Sequence, residues 1–480
     1  MSRPSPSTTS APGGTGGRGT PSGAKPVGHG VILLLLLLVL LPSLGASAAP
    51  TPPPGPPRDD CVLRIASGAD VSGGARERAL QAVWNGFGGR PRACFVAISS
   101  VADEQRSAMI SAAQSKAGHY DVYNLDIQWI PEFAEGGYLR PIDTSEHGGT
   151  NDFLSQIWSA GAWDGVQYAV PFNTDVGLLY HLDDLREPKD WRDMTGLAKA
   201  RRAGPGSTVL GLTGQFASYE GLTVNALEAI WANGGDVVDA NGRVVITQKE
   251  GVEAVRRLIE TVRAGVISGE TLGSTETESL TAFRKRHALF LRHWPSAHEV
   301  LSGESKSGGV AFRAAPLPWQ GVLGGQYLAV SRHTVRRDAA QQLVAALTGG
   351  EAARLLYHCG GFAPARVSAL YARPESGCGG PSPAATPSEP AAEPAARPGS
   401  TPSPAAEPES ESVRPDTLLR ALTQARARPP SPYYSQFSRV FRTEVHELLG
   451  CWSLGRKGCE DARTFTAGLA PKLRKALAGG

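Results

Sequence analysis

Tyr120-Asp-Val-Tyr-Asn-Leu-Asp-Ile-Gln-Trp129 decides the reading of this 480-residue chain. Asp121 to Leu125 reads as a buried strand, and it runs out into a carboxylate and an indole, Asp126 and Trp129. The same design returns in Tyr168-Ala-Val-Pro-Phe-Asn-Thr-Asp-Val-Gly-Leu-Leu-Tyr180. Carboxylates and amides can exchange several hydrogen bonds with vicinal hydroxyls. An aromatic ring offers a flat apolar face to the C–H side of a sugar ring, and in open α/β sheets such groups collect in the crevice beyond the strand ends. The mix suits a pocket for a small polyhydroxylated solute.

Outward from that stretch, strands alternate with helix-patterned segments. Val62 to Ala66 reads as a strand, and Ala75 to Phe87 as a helix with Leu80, Val83, Trp84 and Phe87 on one face. Phe95 to Ser99 is a strand, Asp103 to Ala117 a helix, and Asp121 to Leu125 the third strand. This order predicts a parallel sheet with right-handed crossovers, an α/β fold. Later segments keep the pattern: helices at Glu220 to Ala232, Gln248 to Ala264 and Ala339 to Leu347, strands at Ala288 to Leu291 and Tyr327 to Ser331. Pro374 to Pro415 breaks it, being Ala, Pro, Ser and Glu with almost no aliphatic residue, a composition that cannot repay the entropy of ordering. We expect it to be a disordered insertion, a tolerated surface loop, because Leu418 to Ala425 and Tyr433 to Leu449 resume helical apolar spacing.

The N-terminus carries Arg3, Arg18 and Lys25 without an acidic residue, then the apolar run Val31 to Leu41 and an Ala46-Ser47-Ala48 cleavage pattern. As a helix that run rises only about 16 Å, short of a bilayer span. Residues 1–49 therefore read as a signal peptide, with an uncleaved anchor as the alternative, and residues 50–60 as a Pro-rich spacer. The protein is expected to be exported, extracellular or held at the cell envelope. No Cys follows the apolar run before Cys61, so lipid anchoring by a lipobox is not expected.

Loss of residues 1–49 removes three of the 48 basic residues and none of the 45 acidic ones, which leaves the rest balanced. Nucleic acid is a poor partner for such a chain, since phosphate binding needs a clustered basic excess. All six cysteines (Cys61, Cys94, Cys359, Cys378, Cys451 and Cys459) lie in the exported part, where an even count favours disulfides, with fifteen formal pairings. Cys61 and Cys94 open strands that would be sheet neighbours, Cys451 and Cys459 flank a short Gly-containing loop, and Cys359 and Cys378 would be left. Metal binding lacks any Cys-x-x-Cys or paired His spacing, and no cofactor is expected.

Seven motifs in order resemble the bacterial extracellular solute-binding proteins of the maltose- and trehalose-binding class, receptors of ABC importers. They are Ile65 to Asp70, Tyr120 to Leu139, Val170-Pro-Phe-Asn-Thr-Asp175, Trp294-Pro295, Gly324 to Ser331, Gly361-Phe-Ala-Pro364 and Pro432-Tyr-Tyr-Ser435. The resemblance covers about Cys61 to Leu477 outside the insertion. It implies a two-lobed type II periplasmic-binding-protein fold, with discontinuous lobes joined by a hinge of three crossing segments near 170–174, 324–327 and 361–364. Lobe 1 would take 61–170 and 326–362, lobe 2 171–325 and 363–477, with 374–415 inserted in the latter.

It further implies a monomer that captures a carbohydrate in the interlobe cleft and delivers it to a membrane permease. The alternatives are a receptor that signals to a membrane partner and a receptor for a non-sugar solute. Carried over position by position, the ligand contacts would be Ser67, Asp70, Asp126, Trp129, Asn173, Asp175, Trp294, Gly324, Gly325, Gln326 and Arg366. Plainer roles stand beside these: a helix cap for Asp126, a turn for Asp70, core packing for Trp129 or Trp294, and a solvated charge for Arg366. Gln326 stands where maltose-type members often carry Trp after the glycine pair, which exchanges a stacking ring for an amide. Catalysis is not expected. Asp121 with Asp126, or Asp175 with Asp183 and Asp184, could form a glycosidase pair, but no nucleophile elbow, His-Glu-x-x-His or phosphate loop accompanies them.

Overall fold

The computed structural model describes residues 60–116, 118–147, 149–202, 209–305, 308–378 and 412–480. The expected signal peptide at 1–49, residues 50–59 of the expected spacer, and residues 379–411 of the expected insertion lie outside the described residues.

Two sheets organise the chain, with strands numbered β1 to β12 in chain order. The first has six strands in the order β12-β6-β11-β3-β1-β2: β12 (Ala363–Pro364), β6 (Ala169–Val176), β11 (Leu323–Val330), β3 (Val122–Asp126), β1 (Leu63–Ser67) and β2 (Ala93–Ala97). β1 pairs in parallel with β2 and with β3, as the β-α-β-α-β pattern predicts, and β11 then runs antiparallel between β3 and β6. Leu63, Ile65, Val122 and Leu125 are fully buried, which is why these short strands read as nearly continuous apolar runs. The second sheet has the order β10-β7-β9-β8: β10 (Phe312–Pro316), β7 (Leu178–Leu182), β9 (Ala288–His293) and β8 (Leu210–Thr213). A small hairpin, β4 (Ala162–Trp163) with β5 (Val166–Gln167), precedes β6. The fold is thus the two-lobed type II arrangement, one lobe on each sheet.

Helix character follows local pattern. Helix Lys249–Arg263 buries Ala254, Val255, Leu258, Ile259 and Val262, the i, i+3/i+4 stripe of an amphipathic helix. Its outer face carries Glu253, Arg256, Arg257 and Glu260 as ion pairs. Helix Glu220–Ala232 is apolar nearly all round and is buried over almost its whole length. The buried polar groups it carries all find partners: Thr223 with Ser438, Asn225 with Gln215, and Glu228 with Arg292. The helix expected over Ala75 to Phe87 holds α geometry only to Leu80, and Gln81–Asn85 form a wider turn.

The three disulfides are Cys61–Cys94, Cys359–Cys378 and Cys451–Cys459. The first joins parallel neighbours β1 and β2, the second holds helix Gly350–Gly360 to the segment after it, and the third closes a short loop at the end of helix Tyr434–Ser453. Pro374 to Cys378 belong to the folded body, unlike the expectation for the insertion as a whole. Besides the disulfide, the backbone amides of Glu375 and Ser376 donate to the Glu351 carboxylate. Where the chain is next described, Ser412 Oγ donates to the Tyr357 carbonyl, and the Tyr357 hydroxyl donates to the Val413 carbonyl.

The expected crossings near 170–174, 324–327 and 361–364 fall on β6, β11 and β12, which lie side by side. Arg366 to Cys378 and Ser412 to Val413 pack on the first lobe. Helix Pro415–Gln424 then contacts strands of both sheets, and Arg426 pairs beside Val322 and Leu323. The last passage into the second lobe therefore comes after the insertion.

Candidate functional site

β3, β11 and β6 place one row of polar side chains at the edge between the lobes. Gln326 pairs across to Asp126 on one side and to Asn173 on the other; one step along, Gly324 lies opposite Asp175. The register slips between Gln326 and Tyr327, and Gly325 sits at φ +128°, where a Cβ would stand 2.6 Å from the Asn173 carbonyl oxygen. Only glycine fits there. At Gly324 a Cβ would crowd the Asp175 Cβ at 3.3 Å and the Trp294 ring at 3.4 Å, so the second-lobe indole is seated directly on this strand.

Asp126 does two things. Its carboxylate accepts from the Gln128 amide at 2.9 Å, capping the turn Ile127–Trp129, and also from Arg428 Nη2 at 3.2 Å. Arg428 comes from the segment after helix Pro415–Gln424. It is 2% exposed, and its Nη1 donates to Glu220 at 2.7 Å. The Tyr434 and Ser438 hydroxyls donate to the same Glu220 carboxylate at 2.5 Å each.

The second-lobe wall is built on a buried ion pair. Arg292 at the end of β9 bonds Glu228 twice at 2.7 Å, both side chains 3% exposed, and its Nη1 donates to Gln215. Its guanidinium lies 4.0 Å from the centre of the Trp294 ring, a cation–π contact. Trp294 Nε1 donates to Glu276 at 3.4 Å and the Tyr219 hydroxyl donates to the same carboxylate at 2.5 Å. Asp175 has its carboxyl pushed up to about 7, first by burial and then by the neighbouring Asp126 charge, with Arg292 opposing. Near neutrality it can both donate and accept.

The first-lobe wall is quieter. Ser67 is fully buried, and its hydroxyl accepts from Arg76 and from Asn124. Asn124 also donates to Gln326 at 3.3 Å. Asp70 forms a turn, accepting from the amide and hydroxyl of Ser72. Asp70, Ser72, Arg76, Asn173, Gln326 and Phe362 border a cavity of about 20 Å³, room for one water-sized group. Three buried side-chain atoms of this region, Arg76 Nε, Asn124 Oδ1 and Arg428 Nε, form no hydrogen bond among the described residues.

Of the residues singled out from sequence, the structure gathers Asp126, Asn173, Asp175, Trp294, Gly324, Gly325 and Gln326 at one edge. Asp70 and Ser67 stand beside it, engaged in the contacts just given. Trp129 is 6% exposed within the core and presents no open face. Arg366 stands apart: 8% exposed, it donates to the carbonyls of Thr348 and His147 and lies over the Phe153 ring, away from the cleft. It is neither a solvated charge nor a neighbour of Asp126. Tyr219, Glu220, Glu276, Arg428 and Asn124 were not singled out. The Pro432 to Ser435 motif, which contains Tyr434, and the nearby Arg426-Ala-Arg428-Pro-Pro430 were the available signals.

Asp121 precedes β3 and Asp126 ends it, about 16 Å apart by strand rise, too far to flank one glycosidic bond. Asp121 moreover accepts from Arg64 N and the Thr334 hydroxyl, and Asp184 pairs with Arg201.

The chain belongs to the bacterial extracellular solute-binding protein family, whose model matches residues 95–354. Its members are binding proteins, exported from the cell. A probable ABC transporter-binding protein of Deinococcus radiodurans is 29% identical over 258 residues, 49% of this chain and 60% of the relative. A probable amino-acid ABC transporter periplasmic-binding protein of Sinorhizobium fredii is 24% identical over 294 residues, 56% of this chain and 65% of the relative. The matched region thus spans less than two thirds of the length of these curated relatives. Among solved structures, maltose-bound MalE3 of T. maritima superposes with a TM-score of 0.69 at 22% identity, covering 86% of this chain and 99% of that one. The GacH receptor of Streptomyces glaucescens, solved unliganded and with acarbose, gives 0.66 at 18%, covering 87% and 99%. A solute-binding protein of Agrobacterium radiobacter K84 with ribitol gives 0.65 at 15%, covering 86% and 98%. At these identities the likeness shows the fold. Among the described residues no helix is long and apolar enough to cross a membrane.

Proposed function

We propose that this protein is the extracellular receptor of an ABC importer, that it takes a carbohydrate or related polyol in the interlobe cleft as a monomer, and that it presents the closed complex to a membrane permease. The observation that carries this reading is the row Asn173, Gln326 and Asp126 beside the Trp294–Glu276–Tyr219 wall, with the Arg428 fork joining Asp126 to Glu220. Amide and carboxylate oxygens accept from hydroxyls and the guanidinium donates to them. Asp175 supplies either role, and the indole offers a stacking face. Maltose, acarbose and ribitol in the similar structures agree with a polyhydroxylated solute.

A second reading, an amino-acid receptor, draws on the Sinorhizobium relative's name. Titration calorimetry of the protein against mono- and disaccharides, oligosaccharides, polyols and amino acids separates the two. A selective sugar or polyol is expected to bind, with Asp126→Ala and Arg428→Ala each weakening it by about 1–3 kcal/mol. An amino acid binding alone would replace the first reading with the second. Binding of nothing in either class would overturn both.

A further inference from the structure

Three cationic or hydroxylic side chains of the second lobe reach carboxylates of the first, and the two arginines among them share one neighbour. Arg428 reaches Asp126, Ser435 Oγ donates to Glu132 at 3.2 Å, and Arg442 pairs with Asp103 at 3.0 Å. Tyr434, Ser438 and Arg442 lie four residues apart on one face of helix Tyr434–Ser453, and that face looks onto Glu220 at the start of helix Glu220–Ala232. Glu220 Oε1 accepts from Arg428 and Tyr434; Oε2 accepts from Ser438 and has Arg442 Nη1 at 4.0 Å. One carboxylate therefore lies beside both arginines: Arg428 divides its two Nη atoms between Glu220 and Asp126, while Arg442 turns both of its Nη atoms to Asp103 with Glu220 4.0 Å from Nη1.

We infer that Glu220 is the positioning residue of lobe closure: it sets Arg428 and Arg442 as a charged clasp on Asp126 and Asp103, so that the chain's own ion pairs hold the lobes together. This goes beyond the receptor reading and needs no particular solute. Arg428 is shielded deep in the cleft. Arg442, 11% exposed, meets an Asp103 that is 45% exposed at the rim, where salt screens the attraction. The clasp consequently has a salt-insensitive inner pair and a salt-sensitive outer pair.

The test measures the distance between probes on the two lobes, by single-molecule energy transfer, in solute-free protein at low and high NaCl. The wild type is expected to gain open molecules as salt rises. Arg442→Gln is expected to raise the open-to-closed ratio about two- to fivefold at low salt and to abolish the salt response. Glu220→Gln should open it further, and adding Arg442→Gln to Glu220→Gln should change little more, because the two act through one hub. Should Glu220→Gln fail to fold, Asp103→Lys at the rim carries the test, since it sets a cation against Arg442. A closed fraction independent of salt, with Arg442→Gln and Asp103→Lys matching wild type, would overturn the clasp. Because no solute is present, that failure is distinct from failure to find a sugar.

Discussion

The two walls of the cleft are made differently. The first-lobe wall is a set of strand ends carrying amides, held by short-range hydrogen bonds and by packing beneath them: Ser67 with Asn124, Asn124 with Gln326, Asp70 with Ser72. The second-lobe wall is charged and is assembled from distant pieces. Tyr219 and Glu220 open one helix, Glu276 opens another, Trp294 follows β9, and Arg428 arrives after the insertion. A wall whose amides and hydroxyls are held by near neighbours depends on shape. A wall of charges depends on every charge keeping its partner.

That contrast can be broken most forcefully at Arg292. Arg292→Ala leaves Glu228 buried without its cation and is expected to cost about 3–5 kcal/mol in denaturant unfolding; a loss below 1 kcal/mol would mean the second wall does not rest on this pair. On the other side, Trp129→Ala should cost about 3 kcal/mol by opening a hole in the first-lobe core. Trp294→Ala, at the partly exposed wall, should leave the melting temperature much closer to wild type, and equal losses at the two tryptophans would erase the distinction. Gly325→Ala should cost about 1–3 kcal/mol, because the added Cβ strikes the Asn173 carbonyl and the backbone is at φ +128°.

The smallest effect is on pH dependence. Asp175 binds its proton more tightly in the fold than the ordinary 3.8, with a value of about 7. The folded state thus holds more protons between these values, so this residue's contribution is fullest below about 4 and is lost as pH rises through 7. Asp175→Asn should flatten the fall in melting temperature between pH 5 and pH 8. An unchanged slope would show that another group sets it.

The same contrast explains what the sequence made legible. β1 and β3 announce themselves as short apolar runs ending in polar residues, so the strands of the first-lobe wall could be read from local pattern, whereas Asn173 and Gly324 to Gln326 come from the family resemblance. Glu220 and Arg428 are separated by more than two hundred residues, with the insertion in between, and nothing local marks either as facing the other. A buried arginine has the same local signature whether it supports a cleft or a loop, so nothing local corrects the family resemblance when it picks out Arg366 and passes over Arg428. Trp129 illustrates the converse: an aromatic three residues past a strand end can turn inward as a core side chain when Asp126 caps the turn and rotates the chain there.

The two anchorages around residues 379–411 sit on one helix, at Cys359 through its disulfide and at Tyr357 through Ser412 and Val413. The chain therefore leaves and re-enters the described body at positions two residues apart on helix Gly350–Gly360, one end tied by a disulfide and the other by a pair of hydrogen bonds. The entry and exit of this stretch share a single point of attachment, which lies next in sequence to the crossing at 361–364.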